Sequence, residues 1–503
     1  MTVRAGLVLA FATIGCAADA VDPAVPGTGP LYRTDGRHVR DRHGRAIVLR
    51  GINYPSDDVA HWKGLPPDSD LRDLAFIAES GFDAVRLVIN WDRIEPAPDR
   101  YDEEYVALVA RHARLAWEQG LYVVIDLAPD RYDEEYVALV ARHARLAWEQ
   151  GLYVVIDLHQ DLFGMGFGLH GAPRWACDEA AYAAFEPTSP WFFNYFSAEV
   201  SSCFDRFWKS PDLQRHHRTA ARRVAEAVAD NEGVIGFDPH NEPFPGTIPF
   251  EEFERDFLWP FHQAFAAEVG GALPGRLLFF EPSVLFNVQQ ATSFPSPAPG
   301  VAPLQAVFFP HYYNVTVEAG LLWDGNAEAD ATWAAAAGAE AARAGVPWGL
   351  GEMGGAMETP NLDAFLASFY AMLDSAQAAS FLWIFARGSG GFGVVDEATG
   401  SWHPHASAFL RPAPAAIAGT PVRFGWDPAT RVLDLAWDED PAAGATEVIV
   451  PAWVARVGYD LVVDGAPAAP VPAAVPGRIA IAGGKGGQRS LRLEARGPYP
   501  AAP

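Results

Sequence analysis

Short, almost uninterrupted apolar runs recur along most of the chain, separated by stretches whose apolar positions fall three or four residues apart. The runs are Ile47–Ile52, Ala84–Ile89, Tyr153–Leu158, Val234–Phe237, Leu277–Phe280, Ala306–Phe309, Pro347–Gly351 and Phe381–Phe385. Their lengths suit strands covered on both faces, as in parallel sheets. Leu71–Ser80, Thr219–Ala229, Phe253–Glu268, Ala331–Ala344 and Leu362–Ala379 carry the helical period. Strands alternating with helices in this number predict an α/β fold, a (β/α)8 TIM barrel over residues 30–411. From 412 to 503 the texture changes to a period of two. Val432-Leu433-Asp434-Leu435-Ala436-Trp437 and Tyr459-Asp460-Leu461-Val462-Val463, with Gly and Pro between them, predict a small all-β sandwich. That module reads first as a packing domain bracing the barrel, and alternatively as a carbohydrate- or lipid-contacting domain.

A barrel of this type places its chemistry at the C-terminal ends of its strands, so polar side chains should follow the apolar runs directly. They do. Arg86 lies within the second run and His159 ends the third. Asn241 and Glu242 close the fourth, and His311 and Tyr313 the sixth. Glu352 ends the seventh, and Trp383 lies in the eighth. Taken singly, each has a bland reading: a solvated glutamate, or a core histidine bonded to a carbonyl. Their shared register is the informative feature.

Residues 97–127 and 128–158 are identical. True repeats diverge and need three or more copies to bury a core, so this pair reads as a recent duplication or an assembly error. Each copy is a helix followed by a strand, and one unit is supernumerary in a closed barrel. The second copy alone runs into His159-Gln160-Asp161. Its strand is therefore expected to hold the native position, and the other strand–helix set to be extruded or poorly ordered.

Lys and Arg number 37 against 63 Asp and Glu, for a net charge of −26. Residues 412–503 hold 9 acidic and 8 basic side chains, so the excess belongs to the barrel. Such a surface repels phosphate backbones, and no nucleic-acid partner is expected. At the N-terminus, Arg4, the apolar stretch Leu7 to Ile14 and Ala18-Asp19-Ala20 predict a signal peptide over residues 1–20 and a secreted product. Ile14-Gly15-Cys16 also resembles a lipobox, with Thr13 where an aliphatic residue is usual, which leaves open a form anchored through Cys16. Two cysteines remain, Cys177 and Cys203. In an oxidising compartment they suggest a disulfide stabilising by about 3 kcal/mol, although two buried thiols would also account for them. Two cysteines without clustered histidines make no metal site, and no cofactor is called for.

Glu242 and Glu352, on different strand ends, are the pair that glycoside hydrolysis needs: one carboxyl to protonate the leaving oxygen, one to attack or to activate water. Arg86 and Tyr313 are placed to orient Glu352, Asn241 to bind a sugar hydroxyl, and Trp383 to stack on a sugar ring. The set Arg86, His159, Asn241, Glu242, His311, Tyr313, Glu352 and Trp383 resembles the eight-residue signature of glycoside hydrolase family 5. That resemblance implies a retaining double displacement with Glu242 as acid/base and Glu352 as nucleophile. Within the family, Asp157-Leu158-His159-Gln160-Asp161, Gly171-Ala172-Pro173-Arg174-Trp175-Ala176 and Glu447-Val448-Ile449-Val450-Pro451 look like endoglycoceramidases. This implies that Asp161 contacts the glucose beside the scissile bond and that a glycosphingolipid is cut between oligosaccharide and ceramide. Membrane-surface contact would then come through the substrate, and a monomer is expected.

The loop between Asp161 and Gly171 departs from the relatives by being short and apolar. Its Phe163, Met165, Phe167 and Leu169 either line a lipid groove or pack beneath the loop. Trp175, Trp191, Phe192, Phe193, Tyr195 and Phe196 add an aromatic segment suited to an amphiphilic aglycone or to a plain core. Two other readings stand beside the leading one. The first is a retaining endo-β-glucanase or β-glucosidase on non-lipid β-glucosides, which would need an open cleft lined by aromatic platforms. The second is a non-catalytic glycan- or lipid-binding surface protein, favoured only by the duplication, which threatens the placement of Arg86 and His159.

Overall fold

The computed structural model describes residues 30–55, 70–88, 91, 95, 122–125, 153–229, 231–295, 305–387, 391–396 and 399–499. The signal segment, Cys16 and the helices of both duplicated copies lie outside them.

The barrel strands are β4 (Arg50–Pro55), β5 (Ala84–Val88), β6 (Tyr122–Ile125), β7 (Tyr153–Asp157), β8 (Val234–Asp238), β9 (Leu277–Phe280), β10 (Gln305–Phe308), β12 (Gly349–Gly354) and β13 (Ala379–Leu382), with a short β11 (Tyr312–Tyr313) at the rim. They are parallel and ordered β10-β9-β8-β7-β6-β5-β4-β13-β12-β11. A parallel bridge from Phe308 to Trp348 closes the ring. Gly236 marks a close approach of β8 to β9: a Cβ there would stand 2.3 Å from the Leu277 carbonyl oxygen.

Both duplicated strands are in the sheet, which corrects the expectation of an extruded strand. The second copy, β7, does hold the position next to β8, with Asp157 opposite Asp238. It also pairs with β5 at Ala84 and Val85. From Arg86 onward β5 pairs instead with β6, where Val124 and Ile125 lie opposite Arg86 and Leu87, and Ile125 faces Ile156 of β7. The first copy thus enters as a wedge from the C-terminal rim. An edge of unpaired N–H and C=O groups costs enough that an identical second strand is drawn into the ladder.

Around the strands pack α1 (Asp70–Glu79), α2 (Ala198–Lys209), α3 (Pro211–Ala227), α4 (Trp259–Gly270), α5 (Glu328–Ala344) and α6 (Leu362–Ala376). Ser197 and Ser210 cap α2 and α3 by accepting from the amides of Val200 and Leu213, and Pro211 fits the first turn of α3. Among the described residues no helix is long and apolar enough to cross a membrane.

The C-terminal module consists of two antiparallel sheets. One holds β15 (Gly419–Asp427), β16 (Val432–Glu439), β21 (Gly487–Ala495), β18 (Tyr459–Val463) and β19 (Ala466–Pro467). The other holds β14 (Ala413–Ile417), β17 (Thr446–Ile449) and β20 (Arg478–Ile481), extended by β1 (Tyr32–Thr34), β2 (Val39–Asp41) and β3 (Ala46–Ile47). Residues 32–47, read from the sequence as the start of the barrel, therefore complete the module's sheet, with Ile47 opposite Ala416. Barrel and module are locked by charge at their joint. Asp374 on α6 accepts from both terminal nitrogens of Arg411, from Arg50 Nη2 at 2.8 Å and from the Trp426 amide at 3.3 Å.

Candidate active site

Arg86 is the fixed point of the rim. Fully buried, it donates from Nη1 to Glu352 Oε1 (2.6 Å) and Asn53 Oδ1 (3.1 Å), and from Nη2 to Asn241 Oδ1 (2.7 Å). The same guanidinium pairs with Asp157 and lies 3.7 Å from Asp238 and 3.8 Å from Glu281. Five strands thereby meet on one cation, because each strand of a tilted barrel delivers one inward side chain to the same layer. Asn53 in turn donates to the Gly351 and Leu382 carbonyls, fixing β4 to β12 and β13.

Glu352 accepts at its second oxygen from the Tyr313 hydroxyl (2.8 Å), and the two donors set its orientation. Facing it, Glu242 has the left-handed backbone φ of 45°, a costly conformation for a glutamate. Its amide donates to Glu281 Oε2 (3.0 Å), and the Gln160 side-chain amide donates to the Asn241 and Glu242 carbonyls (3.0 and 3.1 Å). Those bonds hold the strained residue with its carboxyl in the cavity, 3.0 Å from His311 Nδ1. Burial pushes Glu242 above the usual carboxylate range despite the opposing pull of His311. One carboxyl oxygen of Glu242 and one of Glu352 lie within 4.8 Å of each other.

His311 also reaches Glu281 at 3.1 Å and Glu352 at 3.7 Å. Burial alone would lower its pKa, but Glu281, Glu352 and its hydrogen bonds raise it well above the ordinary value. His159 takes the opposite course. Burial lowers it to about 3, with Glu352 opposing and Arg86 assisting, and its ring stacks on Trp383 at 5.4 Å. Asp161, 3.3 Å from His159 Nε2, is driven well up by burial and by Glu352. The structure thus gathers Arg86, His159, Asp161, Asn241, Glu242, His311, Tyr313, Glu352 and Trp383 at one end of the barrel.

Sequence reasoning passed over Asn53, Asp157, Gln160, Asp238 and Glu281. Glu281 follows Phe280 directly, so the strand-end rule applied to β9 would have found it. Asp238 lies inside its strand, where a buried carboxyl has no sequence signal. Burial and the neighbouring Glu281 raise its pKa strongly, whereas His311 and Arg86 hold Glu281 below the usual range against its own burial. Asp238, Glu281 and His311, and likewise Glu242, His311 and Glu352, bring ligand-type atoms within 4.8 Å. Both groups depend on His311, whose nitrogens already face carboxylates, and Arg86 supplies a cation to the same cluster. They suit a proton-managing site better than a metal site.

The rim beyond this layer is apolar. Of the short loop, Phe163 packs on Phe204 and Phe207, and Phe167 on Tyr182 and Phe185; Met165 projects outward. Tyr195 is buried against Phe244, whereas Trp191, Phe193 and Phe196 are exposed, Phe196 touching Phe244 two residues after Glu242. Val288, Val315, Leu321 and Leu322 form a second exposed set on the loops after β9 and β11. Cys177 and Cys203 are joined by a disulfide, Cα–Cα 5.3 Å, across the base of the aromatic segment.

A model described as cellulase (glycosyl hydrolase family 5) matches residues 127–389, and one described as the glycoside hydrolase family 5 C-terminal domain matches 411–480. The first spans more than half of the chain, and the chain belongs to glycoside hydrolase family 5 as one of its enzymes. Within the family it is endoglycoceramidase-like. It is 26% identical over 473 residues to endoglycoceramidase I of Rhodococcus hoagii (strain 103S), covering 90% of this chain and 86% of the relative. A glucosylceramidase of Aspergillus fumigatus is 25% identical over 282 residues, 44% of this chain and 33% of that protein. Endo-glycoceramidase II from Rhodococcus sp., solved as a ganglioside GM3 complex, superimposes with a TM-score of 0.74 at 24% identity, over 92% of this chain and 99% of that one.

Proposed function

We propose that the protein is an exported, retaining β-glycosidase that releases the intact glycan from a glycosphingolipid. The observation that carries the mechanism is the 4.8 Å limit between the carboxyl oxygens of Glu242 and Glu352. Retaining enzymes hold their carboxyls about 5–5.5 Å apart, and inverting ones about 6.5–9.5 Å apart to admit a water. The Glu352 carboxylate attacks the anomeric carbon while the Glu242 carboxyl gives its proton to the glycosidic oxygen. The C1–O bond breaks, the aglycone leaves as an alcohol, and a glycosyl ester remains on Glu352. Glu242, now a carboxylate, takes a proton from water, whose oxygen attacks C1 and frees Glu352. The elevated pKa of Glu242 suits the first half of this cycle.

The aglycone class is supported by the rim. Exposed Phe196 touches Phe244, two residues past Glu242, with Trp191 and Phe193 exposed on the same segment, and Val288, Val315, Leu321 and Leu322 are exposed on the loops after β9 and β11. The endoglycoceramidase relatives support the same reading, and the disulfide supports export. Mass spectrometry of products from lactosylceramide, a ganglioside and a soluble β-glucan tests it. Free ceramide with an intact oligosaccharide is expected; cleavage of the glucan alone would keep the site and overturn the substrate.

A further inference from the structure

The segment from Asn314 to Leu322, asparagine-valine-threonine-valine-glutamate-alanine-glycine-leucine-leucine, is apolar but for one charge, Glu318. It follows Tyr313 directly and supplies three exposed aliphatic groups, Val315, Leu321 and Leu322. It is held firmly. Asn314 caps the turn Val315–Glu318, accepting from Thr316 and Val317 and donating to Asp330. Val317 is fully buried, and its carbonyl accepts from the Ala356 amide and the Thr359 hydroxyl. Glu318 is thereby fixed half-buried, with its charge acting on Glu242 and Tyr313. Its backbone amide bonds to the Asn314 carbonyl, but among the described residues its carboxyl makes no hydrogen bond. The two neighbouring asparagines are committed, Asn287 to the Tyr313 backbone and Asn314 to its turn and to Asp330.

An amphiphilic aglycone presents a matching problem. Its tails need an apolar surface, but the hydroxyl and amide groups beside the scissile oxygen lose water when the tails dock. A buried donor left unpaired there loses its bonds to water with nothing in return. Resting on the reading above, we propose that Glu318 is a specificity-determining residue on the aglycone side, accepting hydrogen bonds from the amide N–H and hydroxyl that flank the leaving oxygen. Burial and the neighbouring Glu242 push its carboxyl up to about 7, so its charge changes in the neutral range while the glutamine isostere cannot titrate.

The test compares Glu318→Ala and Glu318→Gln on lactosylceramide and on an aryl lactoside, which shares the glycan but lacks the amide and hydroxyl. The wild type must first cleave lactosylceramide; failure there overturns the functional reading and this inference with it. Glu318→Ala is expected to lower kcat/KM on lactosylceramide at least tenfold more than on the aryl lactoside. Glu318→Gln should restore most of that selectivity and remove a step near pH 7 from the lipid pH profile. Equal losses on both substrates, or no loss of selectivity while the wild type cleaves the lipid, would overturn the role of Glu318 and leave the function intact.

Discussion

Two buried arginine clusters sit at opposite ends of the same barrel, and their charge balance differs. At the joint with the C-terminal module, Arg50 and Arg411 share one carboxylate, Asp374, and both its oxygens are saturated with donors. At the rim, Arg86 and His311 face Asp157, Asp238, Glu281, Glu352 and Glu242. There the acids outnumber the cations, and the surplus is resolved by protons: Asp238 and Asp161 are driven up, His311 is driven up, and Glu242 is raised. A saturated cluster braces. An acid-rich one stores protons where a reaction can use them, which is the pattern expected when environments push neighbouring titratable groups apart.

The largest effect that separates the two ends is on turnover. Glu352→Ala should lower kcat by about 10⁴-fold or more while the protein remains folded. Added azide should rescue cleavage with inversion of the product's anomeric configuration, read by NMR; unimpaired activity would remove Glu352 from the nucleophile's role. Next, Glu242→Gln should cost about 10²–10⁴-fold on a glycolipid and far less on an activated aryl glycoside, which leaves without a proton. Equal losses on both would refute the acid/base assignment.

At the joint the expected damage is to stability. Asp374→Ala leaves two buried guanidinium groups without a counter-charge and should cost about 3–5 kcal/mol in urea unfolding, with the site's pH profile unchanged. Asp238→Asn at the rim removes one acid from an acid-rich cluster and should cost under ~1 kcal/mol. Similar losses from both would erase the contrast.

A smaller effect comes from three histidines, buried chiefly among aromatic rings around β8. Burial lowers His217 strongly, His240 to about 3 and His262 to about 4. Their folded pKa values lie below the ordinary 6.5, so the stability they contribute is present above pH 6.5 and lost as pH falls toward 4. Each should add up to about 1.4 kcal/mol per pH unit to that loss. Urea midpoints at pH 7.5 and 5 check the slope, which His240→Gln should reduce.

The smallest change concerns the wedge strand. Deleting residues 128–158 gives the same chain as deleting 97–127, and lets β7 continue its pairing with β5 beyond Val85. The shortened protein should melt higher, by roughly 1 °C per kcal/mol gained for a chain of this size. A lower melting temperature would show that β6 has become part of the sheet's support.

The rim was legible in the sequence because barrel geometry turns strand ends into a register. Glu242 and Glu352 stand out by their positions after apolar runs, and Arg86 as a lone cation inside one. Glu281 obeyed the same rule and was missed beside the louder Asn241-Glu242 pair. Asn53, Asp157 and Asp238 lie within strands, and only the closed ring reveals that they face one guanidinium. The joint was not legible at all. Nothing local in Arg50 or Arg411 distinguishes a buried partner of Asp374 from a surface charge. Likewise, nothing in residues 32–47 announces that their partners lie in the other domain. The wedge was misjudged because the count of eight strands was treated as fixed, whereas backbone hydrogen bonding admits an identical ninth.

The clasp between β3 and β14 also has a consequence in time. Ile47 leaves the ribosome about 370 residues before Ala416, its partner. At about 5–20 residues per second, the first three strands wait roughly twenty to seventy seconds with one edge unpaired. Truncations anywhere before residue 413 leave β3 without its partner β14, and with it an unpaired strand edge open to pairing with another chain.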